Sequence, residues 1–132
     1  MKYITDKEIR GLSISPFQCV EWVKESFSMK YDAQVPPKIS LHPQKSDFFN
    51  TMPCLLPPEY DRFGVKVVSR IAGNKPSLRS DVLLYQASTG ILLSLMSADW
   101  ITQMRTGAVA ALTINTLQSS CSNVYAFVGL GS

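Results

Sequence analysis

The sequence predicts an α/β protein, a mixed β-sheet flanked by helices, and three observations predict it. Two short runs rich in leucine and valine, Asp81 to Gln86 and Ile91 to Ser97, are joined by Ala87-Ser88-Thr89-Gly90, the pattern of a hairpin with glycine where a positive φ is needed. Helical periodicity brackets the strands, from Ser15 to about Met29 and from about Asp99 to Leu117. Near the end, Val124-Tyr125-Ala126-Phe127-Val128 is short and almost wholly apolar, as strands buried in a parallel sheet are.

Taken in order, Asp6 to Leu12 suits a short helical turn. Ser15-Pro16 then opens a longer helix, with serine at the N-cap and proline at the first helical position. Phe17, Val20, Trp22, Val23 and Phe27 recur at helical spacing, and the aromatic residues among them are expected in the core, with Glu21, Lys24 and Glu25 facing out. Val35-Pro36-Pro37 closes the region, and Lys38-Ile39-Ser40-Leu41-His42 alternates as a short strand does before Pro43. Asp47 to Leu56 is a second extended segment, expected to break at Pro53 and to close at Pro57-Pro58.

Gly64-Val65-Lys66-Val67-Val68-Ser69 is a further strand, with Lys66 set inside a run otherwise built for burial. The polar loop Gly73-Asn74-Lys75-Pro76 separates it from the hairpin. In the last helix Trp100, Ile101, Met104, Ala108, Ala111 and Leu112 form the apolar side, and Gly107, Ala108, Ala110 and Ala111 permit close backbone approach. Ser119 to Asn123 is a loop. The final strand runs into Gly129-Leu130-Gly131-Ser132, and a buried strand followed by Gly-x-Gly can open a dinucleotide-binding βαβ unit. Alone, the same residues more commonly end a strand in a glycine-rich turn.

Composition narrows the function classes. A chain of 132 residues has room for one hydrophobic core, and 45% hydrophobic with 17% charged residues belongs to a globular protein. The net charge of +3 is spread among acids without a basic run, which gives nucleic-acid or membrane-surface binding little support. The N-terminus lacks the apolar stretch of a signal peptide and no segment approaches transmembrane length, so a cytoplasmic location is expected. Cys19, Cys54 and Cys121 are odd in number and far apart, which fits reduced thiols in or near the core rather than a disulfide framework or a metal site.

One charge stands out. Arg105 lies on the small-residue helix, and no charged residue follows it before Ser132. A guanidinium stays protonated, so it needs an anion or an outlet to water. Asp99 is offset by six positions and falls on another helix face. Two readings stay open at this point: a structural pair with an acid elsewhere, such as Asp81 or Asp47, or a grip on an anionic ligand. Lys66 is open in the same way, since a strand lysine can snorkel to a sheet edge. The Thr106 hydroxyl can bond back to a helix carbonyl. His42 reads as a turn residue, and no activated nucleophile or carboxylate pair is evident.

Four elements in this order and spacing resemble the ornithine cyclodeaminase/mu-crystallin family: Gly64-Val65-Lys66-Val67-Val68, the hairpin from Asp81-Val82-Leu83-Leu84-Tyr85 to Thr89-Gly90, Ile101-Thr102 through Met104-Arg105-Thr106-Gly107-Ala108, and Val128-Gly129-Leu130-Gly131. The resemblance runs from about Pro36 to Ser132. It implies a substrate-binding and dimerisation domain over residues 1–120, followed at 121–132 by the first strand and Gly-x-Gly turn of a truncated Rossmann domain. It implies that Arg105 grips the carboxylate of an amino-acid substrate, that Lys66 binds substrate at the catalytic centre, and that Lys38 stands where many members carry a second carboxylate-binding arginine. Thr106, Gly129 and Gly131 would face NAD or NADP. The family's catalytic aspartate lies beyond the end of this chain. The implied function is the N-terminal part of an NAD(P)-dependent homodimeric enzyme acting at the α-carbon of an amino acid or imine, with the 132-residue chain alone inactive. The alternative is a non-catalytic ligand-binding or dimerising module.

Overall fold

A computed structural model describes residues 1–129 of the chain. In chain order it holds β1 (Lys2–Ile4), α1 (Asp6–Gly11), α2 (Pro16–Ser28), β2 (Ile39–Leu41), β3 (Phe48–Leu55), a 3-10 turn (Pro58–Tyr60), β4 (Arg62–Arg70), β5 (Leu78–Gln86), β6 (Leu92–Ser97) and α3 (Asp99–Leu117). The strands form one six-stranded sheet in the order β1-β6-β5-β4-β3-β2. β1 lies parallel to β6 and every other neighbouring pair is antiparallel, so the mixed α/β sheet expected from the sequence is present.

Local chemistry accounts for the element ends. At α1 the Glu8 N–H donates to the Thr5 hydroxyl and the Thr5 N–H to the Glu8 carboxylate. At α2 Ser15 and Gln18 make the same reciprocal pair, with Pro16 behind the cap. Gly90 has φ 70° and turns the β5–β6 hairpin. Asp61, in the left-handed conformation after the 3-10 turn, braces that hairpin from outside: its carboxylate accepts from the Ser88 N–H at 2.7 Å, the Ser88 hydroxyl at 2.9 Å and the Gln86 amide at 2.9 Å. These bonds, led by the one from Gln86, hold the Asp61 carboxyl below its ordinary pKa.

The helices gather on one side of the sheet. Antiparallel register puts Asn50, Val68 and Ser80 in one cross-strand row and Met52, Lys66, Val82 and Met96 in the next. Ser80 bonds to α3, so both rows face the helices. α2 packs on α3, with Pro16 and Val20 beside Met104, Gly107 and Ala108, and Cys19 buried. The opposite face carries Phe49, Val65, Val67, Leu83 and Leu95. Fully buried side chains are few, chiefly Ile9, Cys19, Pro57, Val68, Ala98 and Ala108. The accessible surface is 9585 Å², whereas a compact monomer of this mass exposes about 6,900 Å². Much apolar surface is therefore left open.

Several expectations are corrected. β3 runs unbroken through Pro53, which pairs with Val65. β2 covers only Phe49 to Thr51, so Pro53 sits on an edge where its missing N–H is tolerated. Phe17, Trp22 and Phe27 are exposed, not core residues, with Phe17 at 84%. Apolar residues circle α2, and only the stripe facing α3 finds cover. Cys121 is exposed and Cys54 half-buried, leaving Cys19 as the one buried thiol among the three free cysteines.

Val124 to Val128 forms no strand, and Val128 is fully exposed. A strand needs a hydrogen-bonding neighbour, and none of the six strands reaches this segment. Leu130, Gly131 and Ser132 lie outside the described residues, so the Gly131 assignment is named but not placed. β1 is an addition, since its three residues acquire strand character by pairing with Ser94 to Met96 far along the chain.

Candidate functional site

The start of α3 is fixed by hydrogen bonds to Ser80 and to Asp6. β6 ends at Ser97, so Ser80 on β5 has no further strand residue to pair with. Its carbonyl instead accepts from the Ala98 N–H at 2.8 Å, and its N–H donates to the Asp99 carboxylate at 2.6 Å. The Ser80 and Thr102 hydroxyls share a buried bond of 2.9 Å. Ala98 offers no side-chain cap, and Asp6 of α1 supplies one across the chain, accepting from the Trp100 N–H at 3.0 Å. Burial alone would raise the Asp6 pKa, but the bonds from Arg10 and Trp100 outweigh it and hold the carboxyl low.

These ties set the rotation of α3. Arg105 lies one turn beyond Thr102, on the side of the helix turned from α2, and its charge reaches Lys66 on β4. Burial, then the positive charge of Arg105, pushes the Lys66 ammonium below its ordinary pKa. The two cations thus lie near enough for their charges to interact, Lys66 half-buried on the sheet and Arg105 exposed on the helix. Neither acid weighed as a structural partner of Arg105 is available. Asp81 points to the far face of the sheet, opposite Val67 and Ser97. Asp47 is buried at another corner, where it accepts from the Ala72 N–H at 2.8 Å. Asp99 is engaged with Ser80. The one ion pair among the described residues is Arg10–Asp6, so neither Arg105 nor Lys66 is salt-bridged to a carboxylate there.

The remaining expected site residues are placed less closely. Lys38 is exposed and stands one residue ahead of β2, at the sheet edge two strands from Lys66. The Thr106 hydroxyl donates to the Thr102 carbonyl at 2.7 Å, the back-bond open to any helical threonine. Gly129 has φ 79°, as a tight turn against a phosphate requires, and nothing lies within 4 Å of where a Cβ would stand. The residues before it are not a strand, so Thr106 and Gly129 do not by themselves form a dinucleotide cradle. No group of three or more metal-ligating side chains occurs among the described residues, and no described helix is long and apolar enough to cross a membrane.

Two features escaped the sequence reading. Asn50, beside Lys66 on the neighbouring strand, has a buried side-chain oxygen without a hydrogen-bond partner among the described residues. Nothing local distinguishes it from any strand asparagine. The Asp6 cap on α3 was equally hidden, because the two residues are 94 positions apart. The Asp99–Ser80 tie had a visible half, an acid in the first turn of a helix.

Comparison with known proteins agrees with this fold. A sequence profile of the ornithine cyclodeaminase/mu-crystallin family matches residues 3–132. Alanine dehydrogenase of Archaeoglobus fulgidus is 31% identical over 135 residues, covering 98% of this chain and 40% of that protein. Ketimine reductase mu-crystallin of Mus musculus is 34% identical over 64% of the chain and 28% of its own length. Among solved structures, an archaeal alanine dehydrogenase dimer with bound NAD superposes with a TM-score of 0.87 at 30% identity, over 98% of this chain and 41% of that one. A Thermococcus litoralis Δ(1)-pyrroline-2-carboxylate reductase in complex with NADH and L-proline gives 0.79 at 30% identity, over 86% and 37%. The chain spans about two fifths of the length of the alanine dehydrogenase it matches. By sequence and by fold alike, it belongs to the ornithine cyclodeaminase/mu-crystallin family.

Proposed function

We propose that this chain provides the substrate-binding side of an NAD(P)-dependent enzyme of amino-acid metabolism, with residues 1–120 as the substrate and dimerisation domain and 121–132 as the start of a nucleotide-binding one. The carrying observation is a pair of cations, Arg105 on α3 and half-buried Lys66 on β4, whose charges act on one another and neither of which is salt-bridged to a carboxylate among the described residues. A guanidinium fork matches a carboxylate in two places, and Lys66 adds a compact charge from the sheet. Together they hold an α-amino or α-imino acid by its carboxylate and present its α-carbon to the open side of the cleft. Lys38 adds a more distant positive charge at the edge. Thr106 and Gly129, with Gly131 by its place in the Gly-x-Gly sequence, would border NAD or NADP, which when bound would supply hydride exchange at the α-carbon between amine and imine. The half-buried position of Lys66 excludes part of the water that would screen this grip.

Homodimerisation is part of the same proposal. The helix-free sheet face exposes Ile39, Leu41 and Phe49, and the chain exposes well over the surface of a compact monomer of its mass. A second reading, a non-catalytic ligand-binding module, is favoured by the unpaired Val124 to Val128, which leaves the glycine turn without its supporting strand.

The test is Arg105→Lys. Trading the fork for a point charge removes at least one charge-assisted bond, about 1.5 kcal/mol or roughly tenfold in Kd for an amino acid. The melting temperature is expected to stay put, since Arg105 is exposed and forms no ion pair among the described residues. Equal affinity in the two proteins by calorimetry refutes the assignment.

A further inference from the structure

We infer that the cleft selects amino or imino acids whose side chain is uncharged and apolar, and rejects those with a second cationic group. The inference rests on the carboxylate-binding reading above and extends it from the ligand's head to its tail. It comes from the residues that surround Lys66. Register fixes them. Met52 on β3 and Val82 on β5 are its direct cross-strand neighbours, and Met96 on β6 follows Val82 in the same row. One row further along, on the same face, stand Cys54, Gly64, Leu84 and Ser94, the last a buried hydroxyl at the far end of the row. Strand alternation turns all of these side chains to the side that Lys66 occupies.

A ligand held by its carboxylate between Arg105 and Lys66 must lay its side chain against this floor, because direct cross-strand neighbours stand only about 5 Å apart. The floor offers it two methionines, a valine, a leucine, one uncharged serine hydroxyl at its β6 end and a thiol held neutral: burial pushes the Cys54 pKa up. Methionine adapts to linear aliphatic chains of different lengths. An ammonium at the end of such a chain would meet the opposite conditions. It would lose water against apolar groups and would add a third positive charge to two that already repel. The nearest acids are committed or turned away, Asp99 to the Ser80 N–H and Asp81 to the other face of the sheet. Asn50, in the row beyond Lys66, is neutral.

Matched ligands isolate the effect. L-norvaline and L-ornithine share a carbon skeleton and differ by the terminal ammonium, as do L-norleucine and L-lysine. Calorimetric titration of the protein with L-alanine and these four is expected to show L-norvaline binding at least tenfold tighter than L-ornithine, and L-norleucine at least tenfold tighter than L-lysine. Ornithine or lysine binding as tightly as its apolar partner, with L-alanine still bound, overturns this inference and leaves the carboxylate grip standing. Failure of all five to bind overturns the carboxylate reading and this inference with it.

Discussion

Replacing Asp99 by alanine tests how α3 is held over the sheet. The Asp99 carboxylate accepts from the Ser80 N–H at 2.6 Å and from the Ser80 hydroxyl at 3.2 Å. Ser80 is 3% exposed, so no bulk water replaces the lost acceptor. A hydrogen bond to a charged group contributes about 1.5–3 kcal/mol, and an orphaned buried donor costs a similar amount rather than an added one. A net loss of about 2.5 kcal/mol follows. For a domain of this size, with an unfolding entropy near 2.1 cal/mol/K per residue, that lowers Tm by roughly 9 °C. Asp99→Asn keeps an acceptor in place and should fall by less than half as much. Thermal melts followed by circular dichroism read both. A Tm for Asp99→Ala within about 2 °C of wild type would show that Ser80 finds another partner and that the tie does not set the position of α3.

Three further outcomes follow from the same contacts. Asp6→Ala removes the cap on the Trp100 N–H and the ion pair with Arg10, for a cost of about 1 kcal/mol in chemical denaturation. Because the folded-state pKa of Asp6 is lowered, its contribution is present above the ordinary value of 3.8 and is lost as pH falls through the folded value; the mutant should lack that acid-limb slope. Lys66 is depressed, so carboxylate affinity should fall as pH rises through a value below 10.5, while stability rises over the same window; Lys66→Met should abolish both dependences, and an affinity flat to pH 10.5 in wild type would refute the arrangement. Phe17→Ser should change stability by no more than about 0.5 kcal/mol, since the ring packs on nothing; a loss of 2 kcal/mol or more would mean it is covered in solution.

The parts of the fold that were legible in the sequence are those fixed by neighbours in the chain. Ser15-Pro16 with Gln18 specifies a helix start without help from elsewhere, and Gly90 between two apolar runs specifies a hairpin. What was hidden depends on distant partners. β1 is a strand only because β6 lies beside it, and Pro53 is harmless only because β2 is short. Val124 to Val128 has every local mark of a buried strand and lacks a neighbour to bond to. The aromatic residues of α2 misled for a related reason: periodicity tells which residues share a face, and not whether anything covers that face.

The candidate site shows the same division. Arg105 was conspicuous as the last charge in the chain, and Lys66 as a cation within an apolar strand. That the two charges come within reach of one another is a tertiary fact, since Arg105 and Lys66 lie on different elements 39 positions apart in the chain. The acids that might have neutralised Arg105 could be dismissed only once Asp81 was on the far face and Asp47 was tied to Ala72.

The central claim is that Arg105 and Lys66 recognise a carboxylate. Calorimetric titration of the protein with L-alanine and with L-alaninamide, which keeps the amine and loses the acid, tests it most directly. The account predicts that L-alaninamide binds at least roughly tenfold more weakly, the loss of one charge-assisted contact or more. Equal binding of the two would contradict it.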